Sequence, residues 1–240
     1  MSDNTSAWIR WPGYIALFFF AVLAVSVFVV RSGNWQQGLM LYAIACLLSL
    51  IILVVMAIQS LIPRWRGERM SVLKRALPAV PGAVLLLMAM QARDVPPIHD
   101  IATDLQDPPA FEQIVNLRGD NSNPLDLTDE VIKQQLAAYP DLQTLQSPRS
   151  YASSYNIALT TARGMGWEIV TEDANAGVIE AVDTTSIMNF KDDVVVRVRT
   201  NAEGSLVDMR SVSRVGVSDL GANANRIRRF MSEFQAAAEG

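Results

Sequence analysis

Two long runs without a charged residue constrain this chain more than any other feature. The first covers residues 14–30 and the second covers residues 39–62. A helix needs about 17 to 25 apolar residues to cross the hydrocarbon core of a bilayer, and both runs fall within that range. Trp8, Trp11 and Tyr14 stand at the start of the first run, where aromatic rings favour the headgroup zone. Both runs are therefore predicted to be transmembrane helices.

A cleaved signal peptide is the alternative interpretation of the first run. The apolar core of a signal peptide is about 7–15 residues long, which is shorter than this run. The residues that follow, from Arg31 to Trp35, contain no small-x-small cleavage pattern. We therefore expect the first run to remain in the mature protein.

A third apolar segment covers residues 76–92 and is less regular. It contains Pro78 and Pro81 and ends against Arg93 and Asp94. Membrane helices tolerate proline better than soluble helices do, so we expect this segment to span as well. A re-entrant or interfacial segment is the alternative. The number of crossings, two or three, decides on which side of the membrane the rest of the chain lies. If this segment does not cross, the rest of the chain lies on the same side as the N-terminus.

The basic residues between the segments predict an orientation. Only Arg31 separates the first two runs, whereas five basic residues and one acid, Glu68, separate the second run from the third. These five are Arg64, Arg66, Arg69, Lys74 and Arg75. Short basic loops stay in the cytoplasm. The chain is thus predicted to lie in a bacterial inner membrane, with a cytoplasmic N-terminus and a periplasmic C-terminal domain.

The charge distribution separates a membrane anchor, residues 1–93, from one domain, residues 94–240. The domain carries 12 Lys and Arg residues against 22 Asp and Glu residues. An acidic domain does not attract nucleic acid by its net charge, so nucleic-acid binding is not expected. The expected partners are the lipid bilayer itself and either a membrane protein or a lipid.

The domain begins with a proline-rich lead-in over residues 94–123. Paired prolines fix φ and remove backbone donors, which favours an extended chain. Several of its side chains are too apolar for a free tether, so we expect the lead-in to wrap against the domain. These side chains are Ile98, Ile101, Phe111, Ile114 and Val115.

Three helices are predicted after the lead-in. The first covers about residues 126–136 with Thr128 as N-cap, and the second begins with Ser147 as N-cap and Pro148 at its first position. Apolar residues recur along the second at spacings of three and four, namely Tyr151, Tyr155, Ala158, Ala162 and Met165. The third covers about residues 222–238, with an apolar stripe of Ile227, Phe230, Met231 and Phe234 and with Arg226 outside it or at its margin.

Four strands are predicted between the second and third helices, over residues 167–171, 177–186, 193–200 and 205–213. Val194, Val196 and Val198 alternate with side chains that include Arg197 and Arg199, which predicts one apolar face and one mixed face. The expected fold class is α+β, a two-layer domain of four antiparallel strands packed on helices.

Four segments resemble one known family. They are residues 97–104 with 108–111 (PIHDIATD, PPAF), 166–169 (GWEI), 190–199 (FKDDVVVRVR) and 211–228 (SVSRVGVSDLGANANRIR). Together they are similar to domain of unknown function 1499 (DUF1499), over about residues 94–237. The resemblance implies a bacterial and plastid family that is often membrane-associated, and it carries no activity over to individual residues.

Few residues of the domain are suited to catalysis. His99 is the only histidine, and His99, Asp100 and Asp104 form the one candidate acid–base group. A zinc site draws several ligands from His and Cys, and the only cysteine, Cys46, lies within the second apolar run. Asp100, Asp104 and Asp107 would suit calcium or magnesium, although Asp is also common in turns. We therefore predict no metal and no cofactor.

The arginines near the strands are the best candidates for ligand or partner binding. They are Arg197, Arg199, Arg210 and Arg214. Such a cluster suits an anionic headgroup or the carboxylates of a partner. In the alternative, these arginines pair with Asp192, Asp193, Asp208 and Glu180 across the strands.

Three functional hypotheses follow. The first is a non-enzymatic envelope module that binds a membrane partner protein or lipid through the sheet face and residues 97–111. The second is a membrane-tethered hydrolase or cation-dependent enzyme that uses His99, Asp100 and Asp104. The third is a structural role for the anchor, with the domain as a spacer.

Overall fold

The computed structural model describes residues 6–91 and 95–239. These residues form two compact units, one that contains the N-terminal helices and one built on a β-sheet. The predicted domain boundary, between residues 93 and 94, lies outside the described residues. We describe each unit by itself.

The helical unit contains three candidate membrane-spanning segments. Helix α1 covers Ala7–Arg31 and helix α2 covers Trp35–Leu61, so each helix contains nearly all of its predicted apolar run. The third segment covers Pro63–Gln91. The expectation of three long apolar N-terminal helices is therefore confirmed.

The third segment begins earlier than the predicted residues 76–92, of which residue 92 lies outside the described part. A 3₁₀ helix covers Pro63–Glu68, helix α3 covers Arg69–Ala76, a second 3₁₀ turn covers Leu77–Ala79, and helix α4 covers Val80–Gln91. The basic residues expected in a loop are thus helical. Pro63 and Pro78 lie in the first turns of 3₁₀ helices, where a missing backbone donor costs little.

Small residues bring these helices together. A Cβ added at Gly82 of α4 would lie 2.5 Å from Ser49 Oγ of α2, so glycine is needed for this close approach. Cys46 is buried beside Leu23 and Ala45, as its interpretation as a small apolar side chain predicted.

The second unit is built on one antiparallel sheet. Its strands are β1 (Asp100–Ala102), β2 (Leu145–Ser147), β3 (Glu168–Asp173), β4 (Val178–Thr184), β5 (Lys191–Asn201) and β6 (Gly204–Ser213). The order is β1-β6-β5-β4-β3, and β2 also pairs with β6. The α+β class and the four long strands are confirmed. The sheet has six strands rather than four, because β1 and β2 each add three residues along β6.

Three helices accompany the sheet: α5 (Asp129–Ala138), α6 (Tyr151–Gly164) and α7 (Ala222–Glu239). Thr128 is the N-cap of α5, as predicted, and its Oγ1 accepts a hydrogen bond from the Val131 N–H. The predicted start of α6 is wrong. Ser150 is the N-cap, whereas Ser147 belongs to β2, because its backbone pairs with Ser205.

The main hydrophobic core lies between the sheet and helices α6 and α7. The predicted stripes of both helices enter it, together with Val194, Val196 and Val198 of β5. Trp167 stacks on Phe230 at 5.5 Å between ring centroids. The mixed pattern of β5 therefore identified the core face of the sheet correctly.

The opposite face of the sheet is covered by the lead-in, which we call the strap and define as residues 95–118. Ile114 of the strap is buried on this face, whereas Ile98 and Ile101 are buried in the main core. The prediction that the lead-in wraps against the domain is therefore confirmed. The strap includes β1, whose outer edge is closed by α5. Gln135 of α5 accepts from the Ala102 N–H at 3.1 Å and donates to the Ala102 carbonyl at 2.6 Å.

Candidate functional site

The four candidate binding arginines lie on or beside the strap-covered face. Val196 and Val198 of β5 and Met209 of β6 enter the core. Because side chains alternate along a strand, Arg197, Arg199 and Arg210 project to the other face. Arg214 follows the end of β6. The structure thus places the four on one side of the sheet, and all four form ion pairs.

Arg210 holds the beginning of the strap. Its guanidinium binds both carboxylate oxygens of Asp100, at 3.0 and 2.7 Å, and both side chains are buried. It also donates to the carbonyls of Pro109 and Leu125 and lies 5.4 Å from the centroid of the Phe111 ring. A bidentate pair of this kind has a fixed geometry, so Arg210 serves as a structural link rather than as an open ligand site.

Arg197 and Arg199 share three carboxylates. Both guanidinium groups bind Asp104 and Asp208, at distances between 2.6 and 3.3 Å. Asp107 lies 2.9 Å from Arg197 and 3.8 Å from Arg199. Asp208 is fully buried and also accepts from Thr144 Oγ1 at 2.6 Å. This five-residue group, which we call the rim cluster, has one more carboxylate than guanidinium groups.

Asp193 joins the end of the strap to the end of β6. Its carboxylate accepts from Arg214 Nε and Nη2, at 2.9 and 2.7 Å, and pairs with Arg118 on its other oxygen. Arg214 also donates to the Leu117 carbonyl. Arg118 is a member of this group that the sequence analysis did not select.

Glu180 is the second residue that the sequence analysis undervalued. It lies in the middle of β4, is fully buried, and forms no ion pair with the arginines of this face. Instead, its carboxylate accepts backbone N–H groups from Glu112, Gln113 and Ile114, which begin the 3₁₀ helix Ile114–Leu117. A carboxylate at this position satisfies helix-start donors that would otherwise be buried without partners. The signal in the sequence was a single acid within the apolar stretch from Val178 to Val182.

Arg226 was expected outside the apolar stripe of the last helix or at the margin of that stripe, and the structure differs. Arg226 is buried on the core side of the sheet and binds Asp183 at 2.7 Å and Asp192 at 2.5 Å. Asp192 therefore pairs with α7 rather than with the candidate binding arginines. Arg226 is drawn inward because α7 places it above these two carboxylates at the β4–β5 end of the sheet.

The structure does not assemble His99, Asp100 and Asp104 into an acid–base group. The Asp100 carboxylate is bound by Arg210, and the Asp104 carboxylate is bound by Arg197 and Arg199. His99 uses its backbone carbonyl to accept from Ser213 N and Asn223 Nδ2. Within residues 6–91 and 95–239, no three His, Cys, Asp or Glu side chains are placed to hold a metal ion.

The rim cluster perturbs the ionisation of Asp104. Burial acts to raise the pKa of this carboxyl. Hydrogen bonds from the Asp107 and Gln106 N–H groups, together with Arg199, outweigh burial and leave the pKa of Asp104 lowered. The ionised carboxylate is therefore the form that the fold stabilises.

A family model described as "Protein of unknown function (DUF1499)" matches residues 100–234. The match covers more than half of the chain. The chain belongs to the DUF1499 family. No curated protein matches it. The DUF1499 match begins at β1 and ends within α7, so it includes the sheet, most of the strap and every ion pair described above, and it leaves out helices α1–α4.

We expect Glu180→Gln to release the central part of the strap. The variant replaces charge-assisted hydrogen bonds by an amide that offers a single acceptor oxygen. Hydrogen–deuterium exchange of the amides of residues 112–114, measured on the full-length protein in nanodiscs, should accelerate on the order of 100-fold, which corresponds to about 3 kcal/mol. Glu172→Gln is the matched control, because Glu172 pairs with Arg163 on the surface. Unchanged exchange in Glu180→Gln would show that Glu180 does not hold the strap.

Asp104→Asn should lower stability in a pH-dependent manner. Because the folded-state pKa of Asp104 lies below its ordinary value of 3.8, the ionised group stabilises the fold above that pH and loses this effect as pH falls through the folded pKa. The gap in thermal stability between wild type and variant should therefore be largest near neutral pH and shrink below about 3.8. Asp126→Asn is the control, because it also removes one negative charge but from an exposed position. A gap that stays constant from pH 7 to pH 3 would contradict this account.

Proposed function

We propose that this protein is a non-enzymatic, membrane-anchored module that binds a membrane partner through the rim cluster and the adjoining strap. The observation that carries the proposal is the exposure of Asp107, whose side chain is 71% exposed although it belongs to an ion-pair cluster. Arg199 is 36% exposed beside it, whereas Arg210 and Arg214 are more deeply buried. Arg197 and Arg199 thus position the exposed Asp107 carboxylate through ion pairs. Arg210 and Arg214 bind the strap itself.

The charge balance favours a protein partner with a basic segment over an anionic lipid. The rim cluster contains three carboxylates and two guanidinium groups, and the whole domain is acidic. A Lys or Arg side chain from a partner would pair with Asp107 and balance the cluster, whereas an anionic headgroup would meet a surplus of negative charge. The proposed partner therefore carries positive charge, whereas the arginines alone predicted a negatively charged headgroup or carboxylate.

The anchor supports a proposal on location as well. The three candidate spans and the basic residues between the second and third spans favour a bacterial inner membrane protein with a cytoplasmic N-terminus. With three crossings, we infer that the DUF1499 domain lies in the periplasm, within the cell envelope. There the domain would meet the periplasmic parts of membrane proteins.

Single cysteines test the orientation. In a Cys46→Ala background, Ala202→Cys in the β5–β6 turn should react with a membrane-impermeant maleimide added to spheroplasts. Gly67→Cys, within the basic 3₁₀ helix, should react only after lysis. Both sites are exposed, so the control differs from the test position only in its predicted compartment. The reverse pattern would place the domain in the cytoplasm.

Native mass spectrometry of the full-length protein, released from gently solubilised membranes, tests the binding proposal. We expect a reproducible protein adduct in the wild type and at least a tenfold smaller bound fraction in Asp107→Asn. Asp126→Asn is the control for the loss of one negative charge and should retain the adduct. A lipid adduct would favour the lipid alternative. A bare monomer, or equal adducts in both variants, would count against binding at the rim cluster.

A further inference from the structure

The loop between β6 and α7 presents apolar side chains to solvent. Val217 is 77% exposed and Leu220 is 60% exposed. Val115 and Leu117, on the 3₁₀ helix of the strap, are also exposed. The two segments are connected, since Arg214 at the start of the loop donates to the Leu117 carbonyl at 3.0 Å. They form an apolar end of the domain, which we define as Val115, Leu117, Val217 and Leu220.

The loop holds its leucine outward in a rigid and strained conformation. Leu220 has a φ of 52°, a region that residues with a side chain seldom occupy. Ser218 Oγ accepts from the Leu220 N–H at 3.2 Å, and Asp219 accepts from the N–H groups of Gly221 and Asn223. Because the Leu220 side chain is exposed, burial in the core does not offset the strain of its backbone. Strain of this kind clusters at sites of binding.

The same loop is attached to the first described residues after the anchor. The Asp219 N–H donates to the Ile98 carbonyl at 3.1 Å, and Ser218 Oγ donates to the Pro96 carbonyl at 3.4 Å. Only residues 92–94 lie between Gln91, the last residue of the third candidate span, and Val95. Because consecutive Cα atoms are 3.8 Å apart, the five peptide links from Gln91 to Pro96 reach at most about 19 Å. The covalent chain therefore keeps this loop close to a membrane surface.

We propose that the apolar end docks on the lipid bilayer that holds the anchor, with Val217 and Leu220 inserted between the headgroups. The bilayer is the occupant that chain length favours, since this short tether keeps the loop near the membrane surface while the anchor spans it. A tethered surface needs little affinity of its own, because the tether supplies a high effective concentration. This contact is separate from the rim cluster and does not depend on the proposed protein partner.

Fluorescence quenching by spin-labelled lipids tests the contact. The full-length protein with Cys46→Ala and Val217→Cys is labelled with an environment-sensitive fluorophore and reconstituted, one copy per nanodisc, in phosphatidylcholine. Ala202→Cys is the matched control, because it is exposed in the β5–β6 turn at the opposite end of the strands. Lipids that carry a nitroxide near the headgroup should quench the label at position 217 at least twofold and leave the label at position 202 unchanged. Leu220→Cys should behave as Val217→Cys does.

Two results would overturn the proposal. In the first, labels at positions 217 and 220 are no more quenched than the label at position 202. In the second, they are shielded from a water-soluble quencher but not quenched by the spin-labelled lipid, which would assign the apolar end to a protein contact. Because binding at the rim cluster is measured with Asp107→Asn, failure of either proposal leaves the other intact.

Discussion

The attachment of the strap to the sheet of the DUF1499 domain depends on how the second face of the sheet accommodates charge. Glu180, Asp193 and Asp208 are fully buried there, and a buried carboxylate is costly unless it is paired or hydrogen-bonded. The strap supplies the missing partners, as backbone N–H groups for Glu180 and as Arg118 for Asp193. In return, β6 supplies Arg210 for Asp100 of the strap. Sheet and strap are thus each incomplete without the other.

This arrangement determines which chemistry remains available on that face. Arginines and carboxylates that would suit catalysis or anion binding are used to fix the strap, and removing one member leaves another buried charge without a partner. In the rim cluster, by contrast, Asp107 and Arg199 reach solvent although they are ion-paired. The rim cluster therefore differs from the other ion pairs of this face in its exposure to solvent, not in its residue types.

Periodicity in the sequence was sufficient for the parts of the fold that are locally determined. Tyr155, Ala158 and Ala162 follow the helical repeat, and Val194, Val196 and Val198 follow the strand repeat, and all six side chains lie in the core. Strands β1 and β2 have only three residues each, so they show no alternation, and they form by pairing with residues of β6 far along the chain. The roles of Glu180 and Arg226 likewise depend on partners from distant segments, which no local pattern reveals.

The position of β1 has a mechanical consequence. It is the first strand after the anchor, and it lies at the edge of the sheet beside β6. A force that pulls the domain away from its membrane would therefore load the contacts of Pro96 and Ile98 with the β6–α7 loop first, and then β1. Because Ile98 and Ile101 belong to the core between the sheet, α6 and α7, the backbone hydrogen bonds of β1 to β6 and the Asp100–Arg210 pair would break together with core contacts. Tension along the chain would thus reach the core directly through its first strand.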